Sequence, residues 1–222
     1  HDVLESFSSM NVDLFNPDLW IDIKITTKNI YISTEILRGV GGIPVGTSGH
    51  VVSLLSGGFD SPVASYLLAK RGCQLTLVFF HAYPFIGDEV TVKIKALAKQ
   101  LSRYQPSLNL YIIPFGDMQK KIVAECKEEY RTLLFRHYML QAAEMLAKQV
   151  GAQALCTGDA LSQVSSQTLE NIAILDQSTR RPIFRPLIGY NKVDIIALSK
   201  KIGTHDISVI THDDACSLLA PK

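Results

Sequence analysis

Cysteine is scarce in this chain and scattered. Cys73, Cys126, Cys156 and Cys216 stand far apart with no C-x-x-C pair, which excludes a disulfide framework and the usual zinc or iron–sulfur spacing. Reduced thiols are expected. No apolar run approaches the roughly eighteen residues of a membrane span, and the N-terminus has no signal-peptide pattern. The expected compartment is the cytoplasm, with no membrane partner. A strong charge of either sign is also missing: the formal net charge is +1, so composition does not announce a nucleic-acid partner. Basic residues gather locally at Lys120, Lys121, Lys127, Arg131 and Arg136, and again at Arg180, Arg181 and Arg185. Most of these read as ordinary solvated faces. At 222 residues, 47% hydrophobic and 19% charged, the chain is globular and long enough for one full core and part of a second. It begins with His1 rather than Met, as a fragment or a processed chain would.

Against these absences stands one dense motif, Ser56-Gly57-Gly58-Phe59-Asp60-Ser61. The apolar run 51–55 precedes it, and a helix-like run begins at Pro62, so the pattern reads as strand, tight loop, helix. Two glycines let backbone N–H groups approach a ligand. The hydroxyls of Ser56 and Ser61 add donors, and the positive end of the helix dipole points into the same space. A phosphate is the expected guest. A Walker A loop would carry a Lys before its Ser or Thr to reach the terminal phosphates; here Asp60 takes that place, a residue suited to Mg²⁺. The motif looks like the PP-loop, S-G-G-x-D-S, of the ATP pyrophosphatases, which cleave ATP between the α and β phosphates.

The rest of the chain is organised around that loop. Residues 19–26 and 29–36 alternate apolar and polar positions across a turn at Thr27-Lys28-Asn29, which predicts a β-hairpin. The glycine-rich run 38–49 fails as a dinucleotide fingerprint, because Pro44 stands where the last Gly belongs and no helix follows; it reads as an interdomain linker. From Val51 onward strands alternate with helices, which predicts a parallel sheet covered on both faces. Strands are expected at 51–55, 74–80, 108–113 and 154–157. Helices are expected at 62–71, 88–104, 116–128, 131–150 and 191–202, with Gly151 and Gly203 as terminators. The periodicity of 168–175 does not decide between helix and strand.

Ligands in such sheets bind beyond the carboxyl ends of the strands, at a switch in strand order. The ends at Leu55, Phe80 and Thr157 should therefore converge. The first supplies the phosphate loop, the second backbone groups with Phe79, Phe80 and His81 for an adenine, the third Gly158 and Asp159 beside a ribose or α-phosphate.

Four segments together resemble the tRNA 4-thiouridine synthetases, the ThiI family: Arg38-Gly39-x-Gly41-Gly42-x-Pro44-Val45-Gly46-Thr47, the loop with its flanks from Leu54 to Val63, the run Thr157-Gly158-Asp159-Ala160-Leu161-Ser162-Gln163-Val164-Ser165-Ser166-Gln167-Thr168, and Arg185-Pro186-Leu187-Ile188. The resemblance runs from about Val12 to the C-terminus. It implies a doubly wound α/β PP-loop domain over 50–222, the linker 38–49, and the C-terminal part of a THUMP-like RNA-binding domain over 1–37. It implies that ATP adenylates the C4 carbonyl oxygen of uridine 8 in tRNA and that sulfur then displaces AMP, with a link to sulfur supply for the thiazole of thiamine. ATP and Mg²⁺ are the implied cofactors. The implied partners are tRNA and a cysteine desulfurase or another persulfide or sulfide donor, and a homodimer is allowed.

For the nucleotide the resemblance implies Leu54 and Leu55, the loop residues Ser56, Gly57, Gly58, Asp60 and Ser61, the pair Phe79 and Phe80 at the adenine, Arg136 at a phosphate, then Gly158 and Gln167. Asp60 is the expected Mg²⁺ and catalytic residue. Cys216 lies where the family has a cysteine proposed to handle the sulfur, although its acidic neighbours Asp213 and Asp214 oppose thiolate formation. Leu219, where some relatives have a second cysteine of C-x-x-C, argues against a cluster there. Cys73 and Cys156 read as buried small residues. Two alternatives stay open at this level: another PP-loop tRNA thiolase or synthetase, and a non-catalytic nucleotide- or RNA-binding fragment.

Overall fold

A computed structural model describes residues 11–37, 39–84 and 87–211. The chain divides into two compact units, His1–Gly41 and Gly42–Lys222. In the first, strands β1 (Asp22–Ile25) and β2 (Ile30–Ser33) pair antiparallel, Asp22 opposite Ser33 and Ile25 opposite Ile30. The turn is closed twice at Thr26, whose N–H and hydroxyl both donate to the Asn29 carbonyl at 2.9 Å. Every residue of the two strands is exposed, on both faces of the alternation. Hairpins of this size are marginal alone in water.

The second unit is built on five parallel strands: β3 (His50–Leu54), β4 (Gln74–His81), β5 (Asn109–Pro114), β6 (Ala154–Cys156) and β7 (Ile183–Phe184). Their spatial order is β5-β4-β3-β6-β7. The period of two along a strand sends neighbours to opposite faces. Val51, Leu75, Leu77 and Phe79 enter one core, with helices α1 (Asp60–Lys70), α2 (Glu89–Leu101) and α6 (Lys192–Lys201). Val52, Val78, Phe80 and Leu155 enter the other, with α3 (Gly116–Glu125), α4 (Arg131–Val150) and α5 (Leu169–Asp176). This is the doubly wound sheet that the alternating pattern predicts. A last short helix, α7 (His205–Val209), follows α6.

Local chemistry sets the boundaries. Gly151 ends α4 in the left-handed conformation, φ 73°, with its N–H on the Ala147 carbonyl, a position where a side chain would be strained. The undecided stretch at 168–175 is helix, because Thr168 caps it and accepts from the Asn171 N–H through its hydroxyl. The expected helix 88–104 tightens at its end into a 3₁₀ turn, Ser102–Tyr104. From Gly42 the glycine-rich run lies along the end of α1: Ile43 N–H donates to the Lys70 carbonyl, and Gly46 and Ser48 N–H both donate to the Gly72 carbonyl.

The chain passes from β3 through β4 to β5 on one side, then returns to place β6 and β7 on the other. The switch in strand order therefore falls between β3 and β6, where the PP-loop leaves the sheet.

Candidate active site

Beyond the carboxyl ends of β3 and β6 lies a cavity of about 270 Å³. Its walls are Leu54, Ser56, Asp60 and Ser61 from β3, the loop and α1, then Thr132, Arg136, Met139 and Leu140 from α4. Thr157, Gly158, Asp159, Ser166 and Gln167 from the segment after β6 complete it. The apolar side chains Leu54, Met139 and Leu140 contrast with the polar loop, as the wall of an aromatic base and a polyphosphate would.

The loop geometry follows from its residue types. Phe59, the residue before α1, makes no side-chain cap, so the first-turn N–H groups of the helix have no capping side-chain acceptor. The two serine hydroxyls close the loop on itself. Ser56 N–H donates to Ser61 Oγ at 2.7 Å, and the two hydroxyl oxygens lie 3.0 Å apart. The expectation that both hydroxyls serve a phosphate is thus modified, since they also shape the loop. Gly158 is needed for space. A Cβ there would stand 2.7 Å from Ser61 N and 2.9 Å from Asp60 C, both backbone atoms.

Two ion networks flank the loop. Asp60 receives Lys192 Nζ on both oxygens, at 2.8 and 2.9 Å, and Gln163 Nε2 at 3.1 Å. The ammonium of Lys192 also lies 5.6 Å from the centre of the Phe59 ring. The PP-loop carries no lysine of its own, yet the fold delivers one to it from the first turn of α6. On the far wall Asp159, 5% exposed, collects Arg136 Nη2 at 2.5 Å, Thr157 Oγ1 at 2.8 Å, Arg185 Nε at 3.3 Å and Gln167 Nε2 at 3.4 Å. Arg185 extends the network to Asp176 at 2.8 Å, and Arg136 Nη1 donates to the Ser166 carbonyl at 2.9 Å.

Of the residues named from the sequence, Leu54, Ser56, Asp60, Ser61, Arg136, Gly158 and Gln167 line the cavity; Leu55, Gly57 and Gly58 flank it without lining it. Phe79 and Phe80 do not line it. They occupy opposite faces of β4, each 5% exposed, Phe80 edge-to-face on Phe115 with ring centres 5.4 Å apart. Cys216 lies outside the described residues. Cys156 is fully buried, and burial pushes its thiol up to about 12; burial also raises Cys73, which fits two unreactive packing residues. Sequence reasoning missed Lys192 and Gln163 as partners of Asp60. Gln163 stands in the run 157–168 that carries the family resemblance, but nothing local pairs it or Lys192 with Asp60; only the three-dimensional path of α6 and the loop after β6 brings them in.

Residues 46–222 match the family model of the thiamine biosynthesis protein ThiI, which is most of the chain. The chain belongs to the ThiI family. A probable tRNA sulfurtransferase of Clostridium kluyveri is 38% identical over 220 residues, 99% of this chain and 58% of the relative. One of Thermus thermophilus is 49% identical over 191 residues, 86% of this chain and 47% of the relative. The crystal structure of a 4-thiouridine synthetase–RNA complex with bound ATP superposes with a TM-score of 0.92 at 36% identity, covering 99% of this chain and 57% of that one. The chain thus spans about half the length of the relatives it matches. Among its described residues no helix is long and apolar enough to cross a membrane.

Proposed function

We propose that this chain is the ATP-using portion of a tRNA sulfurtransferase that makes 4-thiouridine. The uracil C4 carbonyl oxygen attacks the α-phosphorus of ATP, pyrophosphate leaves, and the base loses its N3 proton. Sulfur then adds to C4, and AMP departs with the oxygen. The observation that carries this reading is the cavity at the β3/β6 switch point. There a PP-loop faces Arg136 and Gln167 in a chain that superposes on an ATP- and RNA-bound 4-thiouridine synthetase.

Each wall of the cavity has a part in that reading. Leu54, Met139 and Leu140 hold the adenine, and the PP-loop N–H groups with the α1 N-terminus hold the phosphates. Arg136 reaches them with a planar fork suited to two phosphate oxygens. Lys192 supplies a mobile positive charge beside the loop, stabilising the charge that builds on the leaving pyrophosphate. Phe79 and Phe80 support the adenine wall from within the sheet rather than by contact.

Asp60 is the carboxylate placed to hold Mg²⁺. Among the described residues no group of three or more His, Cys, Asp or Glu forms a metal cage, and one carboxylate plus substrate phosphates is the ordinary way of holding this ion. When bound, Mg²⁺ would neutralise phosphate oxygens. Asp60, now held by Lys192 on both oxygens, would hold the ion, and Lys192 would remain beside the phosphates as a second positive charge. Sulfide attacks C4 directly. A donor's persulfide attacks through its terminal sulfur, leaving a donor–S–S–C4 disulfide. The Cys216 thiolate then attacks the donor's sulfur, so that the thiocarbonyl is released and a Cys216–donor disulfide remains for a thiol reductant to open. The tRNA substrate, the cytoplasmic setting, the THUMP-like role of the hairpin unit, a homodimeric state and a contribution to thiazole sulfur are parts of the same proposal.

The test is formation of the product itself. An unmodified tRNA transcript is incubated with the chain, ATP, Mg²⁺ and sulfide, then digested to nucleosides and analysed by mass spectrometry. The proposal expects 4-thiouridine that depends on ATP and on uridine 8. Sulfur in another nucleoside, or none under conditions in which a relative of greater length makes 4-thiouridine, would refute it.

A further inference from the structure

The loop after β6 turns its polar residue inward and its apolar ones outward. Leu161 and Val164 are 46% and 51% exposed, whereas Gln163 between them is half-buried and its Nε2 donates to Asp60 Oδ2 at 3.1 Å. A solvated loop ordinarily does the reverse. The amide cannot profitably turn over, because its oxygen would then oppose the Asp60 carboxylate.

That loop is built to hold the amide there. Ser162 has φ 59° and is, among the described residues, the one non-glycine in the left-handed region, a local cost that the surrounding contacts must sustain. Its N–H donates to the Gln167 carbonyl at 2.9 Å, Gln167 N–H to the Val164 carbonyl at 2.9 Å, and Leu161 N–H to the Ile188 carbonyl at 3.0 Å. Lys192, by contrast, reaches Asp60 on a long flexible stem, its side chain 41% exposed.

We propose that Gln163 is a positioning residue that orients the Asp60 carboxylate and fixes which of its oxygens takes the cation. Oδ2 accepts from both Gln163 and Lys192, which fills its two lone pairs, while Oδ1 accepts from Lys192 alone. The free lone pair is therefore on Oδ1, so Asp60 offers Mg²⁺ one oxygen rather than two. The inference rests on Asp60 as the Mg²⁺ carboxylate of an ATP site. Gln163 does not line the cavity, so its effect reaches the nucleotide only through the cation.

The experiment measures the dissociation constant of α,β-methylene-ATP, which cannot be cleaved between its α and β phosphorus atoms, in EDTA and in saturating Mg²⁺. The ratio of the two is the gain in affinity that the cation brings. The full chain is compared with Gln163→Met, which keeps the side-chain length without a donor, and with Asp60→Ala. Gln163→Met should bind the analogue in EDTA within about twofold of the parent and lose about threefold to tenfold of the Mg²⁺ gain, the scale of one hydrogen bond to a charged group. Asp60→Ala should lose most of that gain. Where Gln163→Met fails to fold, Gln163→Asn replaces it; its amide is one methylene short of the carboxylate, and the same loss is expected. A full gain in the Gln163 variant beside a lost one in Asp60→Ala overturns the role of Gln163 and leaves Asp60 as the Mg²⁺ residue. Equal weakening in EDTA and in Mg²⁺ also overturns it, since a loop that merely keeps its shape would give that result. A gain that survives Asp60→Ala removes the Mg²⁺ reading itself, and failure of the unaltered chain to bind the analogue removes the ATP reading.

Discussion

Lys192 Nζ lies 2.8 Å from one oxygen of Asp60 and 2.9 Å from the other, across 132 positions of sequence. The pair sets a lysine beside a phosphate loop that lacks one, and it keeps the Asp60 carboxylate engaged. Both side chains are partly open to water, 41% for Lys192 and 22% for Asp60, so the pair adds only about 0–1 kcal/mol to stability.

Replacing Lys192 should therefore separate chemistry from folding. Lys192→Ala is expected to melt within a degree or two of the parent, yet to lose roughly 10²–10³-fold in kcat for ATP turnover, the scale of removing one preorganised stabiliser of transition-state charge. Thermal melting and steady-state kinetics on the same preparation check this. A large fall in melting temperature would make the pair structural instead.

Gly158 should be intolerant for a steric reason. Its added Cβ would stand within 3 Å of the backbone of Asp60 and Ser61, neither of which is the flexible end of a side chain. Gly158→Ala is expected to cost about 1–3 kcal/mol in denaturant unfolding and to weaken ATP binding by shifting the first turn of α1. Unchanged affinity with unchanged stability would contradict the packing described.

The Cys156 thiol should resist modification in the native protein. Its acidity is lowered by burial to about 12 against an ordinary 9.0. The raised value means the folded state keeps its proton longer than the unfolded state, so the associated stability is intact below about pH 9 and is lost as pH rises toward 12. Native alkylation should spare Cys156, and Cys156→Ala should flatten the alkaline decline in stability between those limits. Rapid native labelling of Cys156 would refute its burial.

The last described helix is fastened by Lys93. Its buried ammonium donates to the carbonyls of Ser208 at 3.0 Å and Ile210 at 2.6 Å, while Ser208 Oγ donates to the Gly58 carbonyl of the PP-loop at 3.2 Å. Lys93→Met leaves those carbonyls short of a donor, at a cost of about 1–3 kcal/mol. Hydrogen exchange should accelerate in α7 first and in the PP-loop next. Acceleration spread evenly over the sheet would argue against a local tether.

Much of this was legible in the residues, for physical reasons that also mark the limits. A β-branched run entering Gly57-Gly58 and leaving through Pro62 has few structural solutions, and Gly151 announces the end of α4 because left-handed backbone favours glycine. Strand β7, two residues long, is too short to carry any periodicity. The Phe79-Phe80 pair illustrates the alternation of a strand: two neighbouring side chains point to opposite faces, so both side chains cannot enter one cavity, and contact from this strand end to a nucleotide would come from backbone. Arg136 reads locally as a solvated helix charge and only the family resemblance singles it out; that Asp159 is its partner has no signal in the sequence spacing. Nothing local pairs Lys192 or Gln163 with Asp60, because their proximity depends on the whole path of the chain.

The most direct test follows the α-phosphate. The chain is incubated with Mg²⁺, a tRNA transcript and ATP labelled at the α-phosphorus, with Asp60→Ala in parallel. Labelled AMP that requires the transcript and its uridine 8, and that disappears in Asp60→Ala, is the predicted result. Labelled ADP in its place would mean cleavage between the β and γ phosphates, and would contradict adenylation by this PP-loop.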